Sequence, residues 1–398
     1  MPAVRAVTLL IAGYLLGSVS PAYFLGRWLK GIDIREHGDG NAGTVNTYRV
    51  LGLLPAVITA TFDLGKGLLA MQLCRLAGGS EMMTHLTGLA AIAGHVFPFY
   101  LRFRGGQGVA TATAMMMYYL ASFYLRGWFP PDSLLLLTFC VISFSFITRK
   151  GEFVGLVILP LLGIFSLMFV PEIKSLFYIL SLIIYILSIN LLNLKRQKPL
   201  SWQAFQEKNI IGWRLFLRPL AFILPVFYFL TDKPRALTAV GAIALFFLAL
   251  DLARLLSSRV NSIFFQKVKN VYRWREQKKF SSITIFLMAM FLTILLFERN
   301  LAILACSFLT FGDFAGKIFG VAFGRHRLFQ KTIEGSLAHF NACLISAYIL
   351  SHFLGTSPPV WIAGSAASSI FELLPLGVDD NFTVALLSAS VMSLFQVF

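Results

Sequence analysis

Long apolar runs recur from one end of the chain to the other, at residues 4–28, 134–147, 153–170, 175–194, 236–250 and 283–297. Short polar clusters rich in glycine and charge separate them. Apolar stretches on this scale, repeated this often, predict membrane-spanning helices. The expected fold is therefore all-α: a polytopic integral membrane protein with two helical transmembrane modules. The first run lacks a small-residue cleavage site and further spans follow it, so it reads as a first transmembrane helix rather than a signal peptide. The only long polar stretch, "NLKRQKPLSWQAFQEKNIIGWR" at 193–214, contains a proline and no period of membrane length. It marks a boundary. The expected modules are 1–194 and 215–398, joined by a cytoplasmic linker at 195–214. The glycine-rich motifs of the two halves differ in spacing and charge, which argues against an inverted-repeat transporter.

Composition agrees. Of 398 residues 57% are hydrophobic and only 13% charged, with a mean hydropathy of +0.76, outside the usual range of soluble domains. The net charge is +16. Its basic residues gather at Lys195, Arg196 and Lys198, along 254–279 and along 325–331. The positive-inside rule puts these segments in the cytoplasm, beside anionic headgroups. The basic clusters are not interleaved with aromatics on a soluble surface, so no nucleic-acid partner is expected. Cys74, Cys140, Cys306 and Cys343 are too far apart in sequence for a zinc or redox motif.

The first half carries three polar motifs. "DIREHGDGNAGTVNTYRVLG" (33–52) supplies tight turns at Gly38, Gly40 and Gly43, neutral donors at Asn41, Thr44 and Asn46, and cations at Arg35 and Arg49. Such loops bring backbone N–H groups and guanidinium close to an anion. "FDLGKG" puts Asp63 and Lys66 inside an apolar segment, spaced to share a helix face and pair. "GHVFPFYLRFRGGQGVATA" (94–112) ends a span at His95 and adds Arg102, Arg104 and the turn Gly105, Gly106, Gln107, Gly108. Together they point to phosphate recognition at a membrane surface.

These motifs resemble the bacterial acyl-phosphate:glycerol-3-phosphate acyltransferase family, with its GSGNxGATNxxR, DxxKG and GHxFPxxLxFKGGKGVAT elements. The resemblance implies acyl transfer from acyl phosphate to the 1-hydroxyl of glycerol 3-phosphate or a related phosphorylated polyol. It implies His95 as a catalytic residue. Arg35, Asn41, Gly43, Asn46, Arg49, Asp63, Lys66, Arg104, Gly105, Gly106, Gln107 and Gly108 would bind substrate. The chain departs from the family at several points. Asp39 replaces Ser, Thr44 and Val45 replace Ala-Thr, and Gln107 replaces Lys. The third motif, with its His and Glu, should fall near 188–197, where the chain reads "SINLLNLKRQ". Losing a Lys and gaining an Asp removes two charges' worth of attraction for a dianion, each worth up to roughly 4 kcal/mol at about 4 Å and an effective dielectric near 20. Either the acceptor differs from glycerol 3-phosphate or this half is inactive.

The second half has its own constellation. Asp251 and Arg254 end a span before a basic loop. "GDFAGKIFGVAFGRHRLFQKTIEGSLA" (312–338) follows, then "FELLPLGVDDNF" (371–382). Glycines at 312, 316, 320 and 324 recur every fourth residue, as in a helix-packing stripe. Asp313, Asp379 and Asp380 suit Mg²⁺, while Lys317, Arg325, Arg327 and Lys331 suit a triphosphate. These elements resemble the polyprenol kinase family of dolichol kinases, phytol kinases and CTP-dependent diacylglycerol kinases. That resemblance implies Mg²⁺-dependent transfer of the γ-phosphate of CTP to a membrane lipid alcohol. Asp313, Lys317, Lys331 and Glu334 would be catalytic; Arg254, Gly312 and Arg325 would bind substrate; Asp313, Asp379 and Asp380 would hold metal. Residues 312–338 then read as a cytoplasmic phosphate cradle laid between membrane helices, and Glu334 as an order-giver for Lys331 or a helix cap.

The whole reading is a lipid-biosynthesis transferase of a bacterial-type inner membrane, with both active faces cytoplasmic and membrane lipids and CTP as partners. Two alternatives stand beside it. In one, only the kinase-like half is active and the other is a scaffold. In the other, the chain is a non-enzymatic lipid transporter or scramblase.

Overall fold

The computed structural model describes residues 3–197, 218–268 and 277–396. Among the described residues eight helical segments are long and apolar enough to cross a membrane. The chain is a multi-pass helical membrane protein. It divides into two units, 1–141 with 150–197, and 142–149 with 198–398. Residues 198–214 of the expected linker lie outside the described residues, as do 269–276 of the basic loop. Lys195 and Arg196 are not loop residues: the helix Ile173–Gln197 runs through them.

In the first unit the apolar run at 4–28 is not one helix. It breaks between Ala3–Ser18 and Pro21–Lys30, with Ser20 extended at φ −115° and ψ 94°. Pro21 causes the break: it has no N–H to donate and it pushes the residue before it out of the α region. The helix Ala3–Ser18 then packs very closely on Glu81–Val96. A Cβ on Gly17 would sit 2.0 Å from the Ala91 carbonyl oxygen, and one on Gly94 would sit 2.1 Å from that of Tyr14. Backbone-to-backbone approach through small residues is how membrane helices gain contact where lipid is as apolar as leucine. The helices Leu53–Leu76 and Val109–Leu125 complete this packing, with Gly151–Phe169 and Ile173–Gln197 beside them. Leu53–Leu76 is apolar enough to cross a membrane even with Asp63 and Lys66 inside it, and both of these are buried.

In the second unit the expected loop at 312–338 is largely helical. Arg299–Ser307 runs through a π-helical turn, Phe308–Gly312, into Asp313–Phe323. A two-stranded antiparallel hairpin of two residues a strand follows, pairing Arg327 with Thr332 and Leu328 with Lys331, a local turn within the all-α fold. Thr332 then caps Ile333–Leu354 by accepting from Gly335 N–H. The four-residue glycine repeat is a packing stripe. A Cβ on Gly312 would meet His339, one on Gly320 would meet Thr332, and one on Gly335 would lie 2.9 Å from the Gly316 carbonyl oxygen. A second π-helical turn, Thr383–Leu387, follows Asp379, Asp380 and Asn381.

Candidate functional sites

In the first unit the three polar motifs meet. Asp33 caps the turn Ile34–Glu36, and Arg35 folds back on it through Nε (3.0 Å) and Nη2 (2.7 Å). Nη1 of Arg35 donates to the carbonyls of Leu101 (2.8 Å) and Arg104 (2.9 Å). Arg35 is thus a strut tying two loops together, where the sequence suggested a phosphate ligand. The hydrogen bonds from Arg35 hold the Asp33 carboxyl below its ordinary range, against the opposing effect of burial.

Asn46 is also structural. Fully buried, it donates Nδ2 to the carbonyls of Ile34 (3.0 Å) and His37 (2.9 Å), and its Oδ1 accepts from Asp39 N–H (3.0 Å). Gly38, at φ +65°, is required here because a Cβ would lie 2.0 Å from Asn46 Oδ1. Asn41 donates its backbone N–H to Asp39 Oδ1 (3.1 Å). Gly43 is the residue before the helix Thr44–Leu51. Arg49, 60% exposed, donates to Asp39 Oδ2 at 3.1 Å. The aspartate that departs from the family pattern therefore occupies one of the cations expected to bind substrate.

Asp63 and Lys66 pair at 2.8 Å, as their i, i+3 spacing predicted. Lys66 also reaches His95 Nδ1, which lies 3.4 Å from Asp63 Oδ1. The other ring nitrogen of His95 is Nε2. That nitrogen faces the glycine turn, for a Cβ on Gly106 would lie 2.2 Å from it. The turn itself folds back on the helix end: Gly105 N–H donates to the Val96 carbonyl (2.9 Å) and Gly106 N–H to that of His95 (3.1 Å). Arg104 lies exposed beside it. The side chain of Gln107 exchanges two hydrogen bonds with Asn193, and its carbonyl accepts from Tyr185 Oη at 2.7 Å. Gly108, at φ +66°, precedes Val109–Leu125. Asn193 and Tyr185 escaped sequence reasoning, since nothing local marks them as partners of a residue about eighty positions away.

In the second unit the expected residues fall into separate clusters. Asp313 pairs with Lys317 (2.7 Å) and with Arg218. Lys331 donates to both Glu372 Oε1 (2.6 Å) and Asp380 Oδ2 (2.7 Å), and Glu372 Oε2 accepts from Ser336 Oγ (3.3 Å). Burial works against the Lys331 ammonium, but these two carboxylates hold its pKa above the ordinary lysine value. Glu372 was not among the expected site residues. Asp379 turns away from this pair to cap its own turn, accepting from Asn381 N–H (3.0 Å) and Nδ2 (2.6 Å).

Glu334, fully buried, does not touch Lys331 and is not the helix cap. It accepts from the backbone N–H groups of Arg325 (3.0 Å) and His326 (3.2 Å) and pairs with His326 Nδ1 (2.7 Å). It anchors the hairpin that carries Lys331, a positioning role in place of the catalytic one expected. Arg325 lies 3.4 Å from the same carboxylate. Arg254, fully buried, is held by Asp251 (2.7 Å) and the Lys279 carbonyl. Asp251 also accepts from Ser281 N–H and Thr284 Oγ1, each at 2.7 Å. Arg254 therefore closes an internal network and is not turned to a nucleotide. Gly312 packs on His339.

Among the described residues no three His, Cys, Asp or Glu side chains form a metal-holding group. The donor set does fit the other mode of magnesium binding, in which one or two carboxylates share the ion with substrate phosphates. Glu372 and Asp380 already converge on one cation.

A helical membrane unit with a buried Asp–Lys–His group against a glycine turn defines the class to which the first half belongs. A family model described as Glycerol-3-phosphate acyltransferase matches residues 7–197. The glycerol-3-phosphate acyltransferase of Synechococcus sp. (strain CC9902) is 40% identical over 161 residues, covering 40% of this chain and 77% of that protein. That of Exiguobacterium sibiricum is 46% identical over 114 residues, covering 29% of this chain and 55% of the relative. Through its first unit, this chain belongs to the glycerol-3-phosphate acyltransferase family. It spans about half the length of several curated relatives it matches. A crystal structure of PlsY (YgiH), an integral membrane glycerol 3-phosphate acyltransferase in its glycerol 3-phosphate form, is 26% identical, with a TM-score of 0.40, 48% of this chain and 92% of that one covered.

Proposed function

We propose that the first unit transfers an acyl group from acyl phosphate to a hydroxyl of glycerol 3-phosphate or a related phosphorylated polyol, and that the second phosphorylates a membrane lipid alcohol from CTP. The observation that carries the first reading is the Asp63–Lys66–His95 group set against Gly105 and Gly106. In the reaction the acceptor oxygen bonds to the acyl carbon, the bond to the phosphate oxygen breaks, and the hydroxyl proton leaves with the phosphate. His95 Nε2–H and Arg104 are the donors for the phosphate oxygens and the developing oxyanion. Lys66 and Asp63 fix the imidazole.

The second reading rests on the hairpin that presents Lys331 beside Glu372 and Asp380. Phosphoryl transfer needs positioning and charge neutralisation more than covalent help. Lys317, Lys331 and Arg325 supply positive charge for the triphosphate. Mg²⁺, held by Asp313 or by Asp380 with Glu372, would neutralise the rest. Both faces are assigned to the cytoplasm, where acyl phosphate and CTP are found.

One observation favours the scaffold alternative for the first unit: Arg49 is paired with Asp39, and Gln107 with Asn193. The test is purified protein given palmitoyl phosphate with labelled glycerol 3-phosphate, and separately γ-labelled CTP with a panel of lipid alcohols. Label in a lysophospholipid that is lost in Lys66→Met supports the acyltransferase, and its absence from wild type supports the scaffold. Label in a lipid phosphate that is lost in Lys331→Ala supports the kinase. No lipid labelling from CTP with any alcohol overturns that half of the proposal.

A further inference from the structure

The glycine turn of the first unit is held at three points. Two lie on the helix that carries His95: Gly105 N–H donates to the Val96 carbonyl (2.9 Å) and Gly106 N–H to that of His95 (3.1 Å). The third lies on Ile173–Gln197, where Tyr185 Oη donates to the Gln107 carbonyl at 2.7 Å. This bond reaches the main chain, so it does not depend on which side chain stands at 107. The fit around it is tight. A Cβ on Gly108 would lie 2.7 Å from Tyr185 Oη, closer than real Cβ atoms come, and Gly108 is at φ +66°, where other residues are strained. The family resemblance makes Gly108 a substrate ligand; its place in the fold is to admit the tyrosine hydroxyl. Next to Gln107 on the other side, a Cβ on Gly106 would collide with His95 Nε2 and lie 2.9 Å from the Ala42 carbonyl oxygen. The turn therefore lies against the imidazole at Gly106 and against Tyr185 at Gln107 and Gly108. A shift of the Gln107 carbonyl moves the backbone that faces Nε2.

We propose that Tyr185 is a positioning residue for acyl transfer, acting through the Gln107 carbonyl to set the glycine turn against His95. This rests on the acyl-transfer reading of the first unit. A carbonyl and the N–H that follows it share one planar trans peptide, so holding the Gln107 oxygen fixes the orientation of the whole Gln107–Gly108 peptide. Without the hydroxyl, the turn keeps only its two bonds to the His95 helix, and glycine lends it no stiffness of its own. A reacting centre tolerates little displacement: about 1 Å of misplacement can cost on the order of a hundredfold in rate. Among the described residues the Tyr185 hydroxyl makes no other bond. It places the turn and takes no part in bond making.

The test uses the full-length protein in lipid nanodiscs as wild type, as Tyr185→Phe, which removes only the hydroxyl, and as Tyr185→para-aminophenylalanine, which returns a donor to the same ring. The dipeptide Gln-Gly occurs once in the chain, so isotope labels on the glutamine carbonyl carbon and the glycine nitrogen isolate one NMR signal, that of the Gln107–Gly108 peptide. Thermal unfolding is read alongside, so that loss of folded protein is not counted as loss of rate. In Tyr185→Phe the peptide signal is expected to move. The kcat for transfer from palmitoyl phosphate to glycerol 3-phosphate should fall about tenfold or more, with both KM values within about twofold of wild type. Para-aminophenylalanine should recover both signal and rate. An unmoved signal in Tyr185→Phe overturns the inference, because the hydroxyl then does not hold the turn. So does a moved signal with kcat unchanged, and so does a loss of rate that para-aminophenylalanine leaves in place. Absence of transfer in wild type counts against the acyltransferase reading instead, and the peptide signal still decides whether Tyr185 sets the turn.

Discussion

Gln107 and Asn193 face each other as a reciprocal amide pair: Nε2 of Gln107 donates to Asn193 Oδ1 at 2.9 Å, and Asn193 Nδ2 returns a bond to Gln107 Oε1 at 3.0 Å. Gln107 stands where the family resemblance calls for Lys, and Asn193 stands in the stretch where its third motif is missing. The two departures are therefore one change, a charged region made neutral and self-satisfied. Gln107→Ala should orphan the Asn193 amide and cost about 1–3 kcal/mol, read by thermal unfolding. Gln107→Lys with Asp39→Ser should raise transfer to glycerol 3-phosphate by tenfold or more. Unchanged transfer would mean that the missing charge is not what limits this unit.

The Asp63–Lys66 pair is buried on both sides. Lys66→Met leaves an uncompensated carboxylate and should destabilise the unit by about 3–5 kcal/mol. Asp63→Leu with Lys66→Met removes both charges and should recover most of that stability, with acyl transfer still lost. A double variant that is stable and active would show the pair to be dispensable for chemistry.

Asp33 gives a pH dependence. Its folded-state pKa is depressed by Arg35, so its contribution to stability is fully present above the unfolded carboxylate value near 4. It is lost as pH falls through the depressed folded value. Wild type should lose thermal stability more steeply below about pH 4 than Asp33→Asn, which has no proton left to take up. Parallel curves would remove Asp33 from the account.

Lys331 behaves in the opposite sense. Its pKa is raised by Glu372 and Asp380, so its contribution is complete below the ordinary lysine value and is lost as pH rises through the higher folded one. Glu372→Gln should cut CTP-dependent lipid phosphorylation by at least about tenfold and bring that alkaline loss to lower pH. A variant with wild-type turnover would show that Glu372 does not serve the site.

Arg254 separates a structural reading from a nucleotide-binding one. Arg254→Met strands the fully buried Asp251 and should cost about 3–5 kcal/mol. Asp251→Leu with Arg254→Met should restore folding and leave the KM for CTP within about twofold. A large rise in KM in the folded double variant would return Arg254 to the nucleotide.

Membrane class, the number of polar motif regions and the Asp63–Lys66 pair were legible in the sequence, because hydropathy and i, i+3 spacing are local properties of the chain. The family of the first unit was legible too, since glycine turns and their neighbouring charges lie within short stretches. Tertiary structure alone decided what each charge does. Arg35, Asn46, Arg254 and Glu334 have the residue types of ligands, yet each is saturated by carbonyls, N–H groups or acids that packing brings to it. The glycine repeat at 312–324 has the spacing of a packing stripe, and only the tertiary structure showed that Gly335 and His339 are what it packs against. A buried polar group must find a partner, and that partner is chosen by the meeting of distant segments, which no short window of sequence contains.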